Sequence, residues 1–212
     1  MPGLSGHLKI MKQTAIYSGS FNPLHRGHLE ILKHLVRDFD QVLLVVSPRN
    51  PLKPTATPSD AQARLQAARE AVSRHPELDG KVQVSDIEFR LGEPNYTIRT
   101  LEALKTQHPD SRLWLAIGGD QFSDFRRWKD YSRILLDHGI CVFPRQGYDL
   151  PSLAADLQSE NPAYRIRLME MPLVNISSTQ IRKALSRGED PSSPLLFDML
   201  FELLFYIISF CT

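Results

Sequence analysis

Gln41 to Ser47 reads QVLLVVS, five branched aliphatic side chains in a row with no charge among them. Successive side chains of a strand point to opposite faces, so such a run needs apolar cover on both sides. Parallel sheets sandwiched between helices supply that cover. The rest of the chain fits the same frame. Gln13 to Tyr17, Val82 to Ile87, Arg112 to Ile117 (RLWLAI), Ile140 to Phe143 and Arg165 to Met169 read as further strands. Between them, apolar residues recur at helical spacing. Leu29, Ile31, Leu32, Leu35 and Val36 mark one helix. Ala61, Leu65, Ala68 and Val72 mark a second, opened by a Ser59/Gln62 capping box. Tyr96 to Gln107 is a third, stopped by His108-Pro109. A helical stretch ends at Ile134 to Asp137, a short helix spans Pro151 to Leu157, and Ser177 to Arg187 is closed by Gly188. Strands alternating with helices predict an α/β fold: a Rossmann-like, doubly wound, mostly parallel sheet with helices on both faces. Ligands of such sheets bind outside the carboxyl ends of the strands, which is where this chain keeps its unusual residues.

The 212 residues fit one domain with small appendages. Residues 1–12 are mixed, carry Gly3 and Gly6 and lack an apolar signal core, so they read as a flexible leader; 13–190 form the main domain. Pro48 to Pro58 has prolines at 48, 51, 54 and 58 and reads as an ordered loop. Residues 191–212 are expected to form an apolar helix. From Leu195 to Phe210 the only charges are Asp198 and Glu202, which share one stripe with Tyr206 and Ser209. That stretch is shorter than the ~20 residues of a membrane span. It is expected to pack on its own domain or at a subunit interface, which leaves a homo-oligomer open. Lys plus Arg number 25 and Asp plus Glu 24, a net charge of +1. A chain that coats nucleic acid or an anionic membrane carries a basic surplus, so neither partner is expected. Cys141 and Cys211 are too few for a disulfide framework and fit a reducing, cytoplasmic setting.

Gly19-Ser20-Phe21-Asn22-Pro23-Leu24-His25-Arg26-Gly27-His28 is the most informative segment. It follows the first strand and opens the first helix. Gly19 and Ser20 let the backbone approach a phosphate, and the helix presents free N–H groups and its positive dipole end there. Gly27 leaves room for a flat ligand. His25 and His28 have three readings: metal ligands, core histidines or phosphate binders. A metal needs further ligands, and the sequence offers no partner cluster, so no metal site is expected. A glycine-containing turn at a helix N-terminus favours phosphate over a core role.

The segment resembles the H-x-G-H signature of the nucleotidyltransferase superfamily, and three later segments narrow the resemblance to the bacterial nicotinate mononucleotide adenylyltransferases. Pro94-Asn95-Tyr96-Thr97-Ile98-Arg99-Thr100-Leu101 is similar to that family's P-S-Y-T-x-x-T-L, with Asn95 in place of Ser. Ile117-Gly118-Gly119-Asp120 followed by Trp128 resembles its I-G-x-D and downstream Trp. Asn175-Ile176-Ser177-Ser178-Thr179-Gln180-Ile181-Arg182 resembles its I-S-[SA]-T-x-I-R. Asn50-Pro51-Leu52-Lys53 stands where many members carry P-P-x-K/R, a looser match.

The resemblance covers roughly residues 13–187. It implies transfer of an adenylyl group from ATP, with Mg2+, to nicotinate mononucleotide, giving deamido-NAD and pyrophosphate. It also implies the site. His25, His28 and Arg182 would be catalytic. Gly19, Ser20, Phe21, Gly27, Ser177, Ser178 and Thr179 would bind ATP. Lys53, Tyr96, Thr97, Asp120 and Trp128 would bind the mononucleotide, with the indole stacked on the pyridine ring. Two alternatives stand beside it: another H-x-G-H adenylyltransferase, acting on nicotinamide mononucleotide or phosphopantetheine, and a non-catalytic nucleotide-binding protein on the same scaffold.

Overall fold

A computed structural model describes residues 11–48, 58–173 and 176–189, with side chains from residue 61 onward in the second stretch. The expected leader up to residue 10, Lys53 in the proline-rich loop, Asn175 and the apolar tail lie outside the described residues.

Six parallel strands form one sheet in the order β3-β2-β1-β4-β5-β6. They are β1 (Lys12–Gly19), β2 (Gln41–Val46), β3 (Val82–Ser85), β4 (Ser111–Gly118), β5 (Ile140–Phe143) and β6 (Ile166–Leu168). The run in β2 divides as its composition requires. Val42, Leu44 and Val46 join one apolar cluster, whereas Leu43 and Val45 join another on the opposite face. Each such side chain, fully buried, contributes about 1.5–3 kcal/mol.

The first cluster packs against α1 (Arg26–Asp38) and α2 (Pro58–Ser73) through Leu29, Leu32, Leu35, Leu65 and Ala68. The second packs against α3 (Thr97–Gln107) and α6 (Leu150–Glu160) through Ile98, Leu101, Leu104, Ala154 and Leu157. Short α4 (Gly119–Ser123) leaves β4, and α5 (Tyr131–Arg133) runs into a wider turn over Ile134–His138 before β5. The last helix among the described residues, α7 (Ser178–Ser186), follows β6. The chain winds outward from β1 to β3, then restarts beside β1 with β4. That reversal leaves a crevice at the carboxyl ends of β1 and β4.

Local chemistry explains where elements start and stop. The third strand is shorter than its apolar pattern: Ser85 Oγ accepts the Ile87 N–H at 3.3 Å, and a 3-10 turn over Ile87–Phe89 replaces the strand end. Helix α2 starts at Pro58, which needs no amide partner in a first turn, so Ser59 is the second residue of the helix and not the residue before it. The capping box at α7 is present. Ser177 Oγ accepts the Gln180 N–H at 3.2 Å, and Gln180 Oε1 accepts the Ser177 N–H at 2.9 Å. Gly188 (φ 75°) ends that helix in the left-handed region, donating to the Leu185 carbonyl at 3.0 Å. Among the described residues no helix is long and apolar enough to cross a membrane.

Candidate active site

The turn that leaves β1 is tightly built. Phe21 adopts a left-handed backbone (φ 43°), uncommon for a bulky residue. Its buried ring lies over Gly19, where a β-carbon would come within 3.2 Å of it. The same ring stands edge-on to Tyr17 and His28, at centroid distances of 5.4 and 5.1 Å. Apolar packing therefore holds the turn before any ligand arrives.

His25 is the N-cap of α1, and its carbonyl accepts the His28 N–H at 2.8 Å. In return His28 Nδ1 accepts the His25 backbone N–H at 3.2 Å. A ring nitrogen that accepts carries no proton, so neutral His28 keeps its proton on Nε2. The two imidazoles stack at 3.7 Å, 24° from parallel. Burial lowers the His25 pKa to about 4, and the nearby Arg145 cation adds to the shift. Burial also holds His28 well below the ordinary histidine value, helped by His25 and Arg145. The site thus presents neutral imidazoles, with His28 offering an N–H donor. Gly27 lies buried between them at the second position of the helix.

Helix α7 is stitched onto this turn across about 155 residues of sequence. Ser178 Oγ donates to the Pro23 carbonyl at 3.1 Å. Arg182 donates to the Asn22 carbonyl at 2.5 Å and to Thr179 Oγ1 at 3.1 Å. The N-terminus of α7, which carries Ser177, Ser178 and Thr179, thereby meets the turn that opens α1. Two converging helix N-termini favour an anion.

The other expected residues also lie beyond strand carboxyl ends, in more open surroundings. Asp120 sits in the first turn of α4, and its Oδ1 is 3.7 Å from Nε of Arg145, which follows β5. Trp128 is half-buried, its ring 5.1 Å from that of Phe125. Tyr96 is the N-cap of α3 and exposed, with Thr97 the first helical residue. The loop before them is tied down by Arg99, which donates to the carbonyls of Leu91 (3.0 Å) and Pro94 (2.8 Å).

Three charged residues that no motif flags belong to this end of the sheet. Arg145 acts electrostatically on both histidines and on Tyr17. Arg64 donates to the carbonyls of Ser20, Ser47 and Pro48, the latter two at 2.9 Å. Buried Glu88 accepts from Ser18, Ser47 and Thr100. A signal for Arg64 was in the sequence: it falls three residues after Ala61 and four before Ala68, inside an apolar helix face.

Residues 16–184 match the cytidylyltransferase-like family. A Flavobacterium johnsoniae protein named "Probable nicotinate-nucleotide adenylyltransferase" is 38% identical over 183 residues, covering 85% of this chain and 90% of that protein. The chain belongs to the nicotinate-nucleotide adenylyltransferases of the cytidylyltransferase-like family. A Bacteroides fragilis member of the same name is 38% identical over 180 residues, covering 84% of each protein. A solved Plasmodium falciparum nicotinic acid mononucleotide adenylyltransferase, complexed with APC, superposes with a TM-score of 0.73 over 94% of this chain and 96% of that one. At 19% identity that likeness speaks for the fold.

Proposed function

We infer that the chain transfers the adenylyl group of ATP to nicotinate mononucleotide, releasing pyrophosphate and forming deamido-NAD, a step of NAD biosynthesis. The observation that carries this reading is the stacked His25/His28 pair at the N-terminus of α1, with Ser178 and Arg182 of α7 bonded to the carbonyls of Pro23 and Asn22 in the turn before it. That cradle holds donors and positive dipole ends for phosphate oxygens, and its His28 is not a poised nucleophile. His28 Nδ1 is occupied by a backbone N–H, and its Nε2 carries a proton.

The chemistry needs no nucleophile from the protein. A phosphate oxygen of the mononucleotide is already anionic and attacks the α-phosphorus of ATP in line. The new P–O bond forms as the bond to the bridging oxygen of pyrophosphate breaks, and the leaving group takes the electron pair. The protein's task is to bring two polyanions together and to stabilise charge as it moves.

In this reading His28 donates to the α-phosphate region, and His25 and Arg182 serve the β- and γ-phosphates. Gly19, Ser20, Phe21 and Gly27 shape the nucleotide pocket, while Ser177, Ser178 and Thr179 cradle the triphosphate. Tyr96, Thr97, Asp120 and Trp128 receive the mononucleotide, and Lys53 takes its phosphate. ATP enters as its Mg2+ complex. The ion belongs to the substrate in this reading. The cytoplasm is the setting this reading assigns.

The test is pyrophosphate release from ATP with nicotinate mononucleotide, nicotinamide mononucleotide or phosphopantetheine as acceptor. Fastest release with nicotinate mononucleotide is expected. Faster release with either rival would replace the acceptor, and none with all three would leave a nucleotide-binding protein.

A further inference from the structure

We propose that Glu88 is a positioning residue that fixes the first turn of α3, and with it the mononucleotide half of the site, against the strand ends that carry the phosphate turn; the role assigned to that half rests on the adenylyl-transfer reading above. Glu88 follows β3 in a 3-10 turn and is 5% exposed. Its carboxylate accepts from three hydroxyls on three different elements. Ser47 Oγ, just beyond β2, donates at 2.6 Å. Ser18 Oγ, on β1 immediately before Gly19, donates at 3.2 Å, and Thr100 Oγ1 of α3 donates at 3.0 Å. The Glu88 backbone carbonyl adds a fourth link, accepting from Asn95 Nδ2 at 3.3 Å. One residue thus grips both sides of Tyr96 and Thr97 while holding the two strands that frame the turn.

A carboxylate suits this junction because its two oxygens have about four acceptor sites, enough for three hydroxyl donors. A buried carboxylate without those donors would be costly, so carboxylate and hydroxyls hold one another in place.

The phosphate turn has a second, separate clamp. Arg64 holds the carbonyls of Ser20, Ser47 and Pro48 from the α2 side. The Ser47 N–H also donates to the Gly19 carbonyl at 2.8 Å. Loss of the Glu88 grip therefore loosens the start of α3, which keeps Ile98 and the Arg99 links, while the turn stays tied. Leu101 and Leu104 keep the later turns of α3 anchored in the core, and Ile98 still holds its first turn from below. The consequence is a split between substrates that general destabilisation would not produce.

The experiment compares wild type, Glu88→Gln, Thr100→Val and the double variant. Steady-state rates are taken with each substrate varied, and melting temperatures are measured beside them. Thr100→Val removes only the α3 arm of the junction and keeps its shape. For both single variants the mononucleotide KM is expected to rise, by roughly tenfold for Glu88→Gln, with the KM for ATP within about twofold of wild type. The double variant should lose less than the product of the two single effects, as expected of partners in one contact. An unchanged mononucleotide KM in Thr100→Val, or parallel rises in both KM values, would overturn the proposal, even if Glu88→Gln failed to fold. A wild-type protein inactive with every acceptor would instead overturn the functional reading, a result visible before any variant is made.

Discussion

His25 and Tyr96 each sit at the N-cap of a helix on the carboxyl edge of the sheet, in extended backbone, yet His25 is 2% exposed and Tyr96 40%. Around His25 the turn is filled by Phe21 and Tyr17, the imidazoles stack, and α7 is hydrogen-bonded over the top. Around Tyr96 the supports come from beneath, through Glu88 and Arg99, and the ring itself is open. The difference fits the roles proposed for the two ends. Charge stabilisation depends on donors already aimed where charge develops, which favours a prebuilt cradle. An aromatic ring is recognised through π-faces, which have to be accessible to receive it.

Removing a donor from the prebuilt end should have the largest effect. His28→Ala is expected to lower kcat by roughly 10²-fold or more, the scale of losing one preorganised oxyanion donor. Circular dichroism on the same sample checks that the fold is intact. Near wild-type turnover in a folded variant would remove His28 from the chemistry.

The buried histidines should also make the phosphate end sensitive to acid. Their folded pKa values lie below the ordinary 6.5, with His25 at about 4. Below about pH 6.5 the unfolded chain gains protons that the folded one refuses. Stability is therefore present above that pH and lost as pH falls toward 4, by on the order of 1–3 kcal/mol. Carboxylates add their own acid dependence, so the informative quantity is a difference. Urea denaturation at pH 7.5 and 4.5 should show a smaller acid loss in His25→Asn than in wild type. Equal losses would mean that the His25 imidazole is not held neutral by the fold.

The open end should respond less and more selectively. Trp128→Ala is expected to weaken mononucleotide binding by about 1–2 kcal/mol with little change for ATP, measured by titration calorimetry. Equal losses for both ligands would erase the contrast between the two ends.

Sequence spacing is enough to place the core strands and the order of the site motifs. The aliphatic run of β2 and the pattern of β4 leave few choices, because each must be covered on both faces. The ends of elements depend on single hydrogen bonds and are harder to read. The Ser85 hydroxyl ends β3 early, and a proline starts α2 one residue before the serine that resembles a cap. Within the site, Gly19, His25, His28 and Arg182 stand in recognisable order, but the residues that aim them do not. Glu88 acts through hydroxyls at positions 18, 47 and 100, a grouping that exists only after the sheet has formed. Arg145 reaches the histidines from the far side of the switch point, beyond a strand that carries no motif of its own.

In the proposed reaction the paired histidines are neutral hydrogen-bond donors and the second substrate attacks ATP itself. Exchange of labelled pyrophosphate into ATP separates this route from one through an adenylylated enzyme. With ATP and pyrophosphate alone, purified enzyme should catalyse no exchange, and adding nicotinate mononucleotide should start it. Exchange without the mononucleotide would mean an adenylylated enzyme, and would contradict the assignment of His25 and His28 as donors.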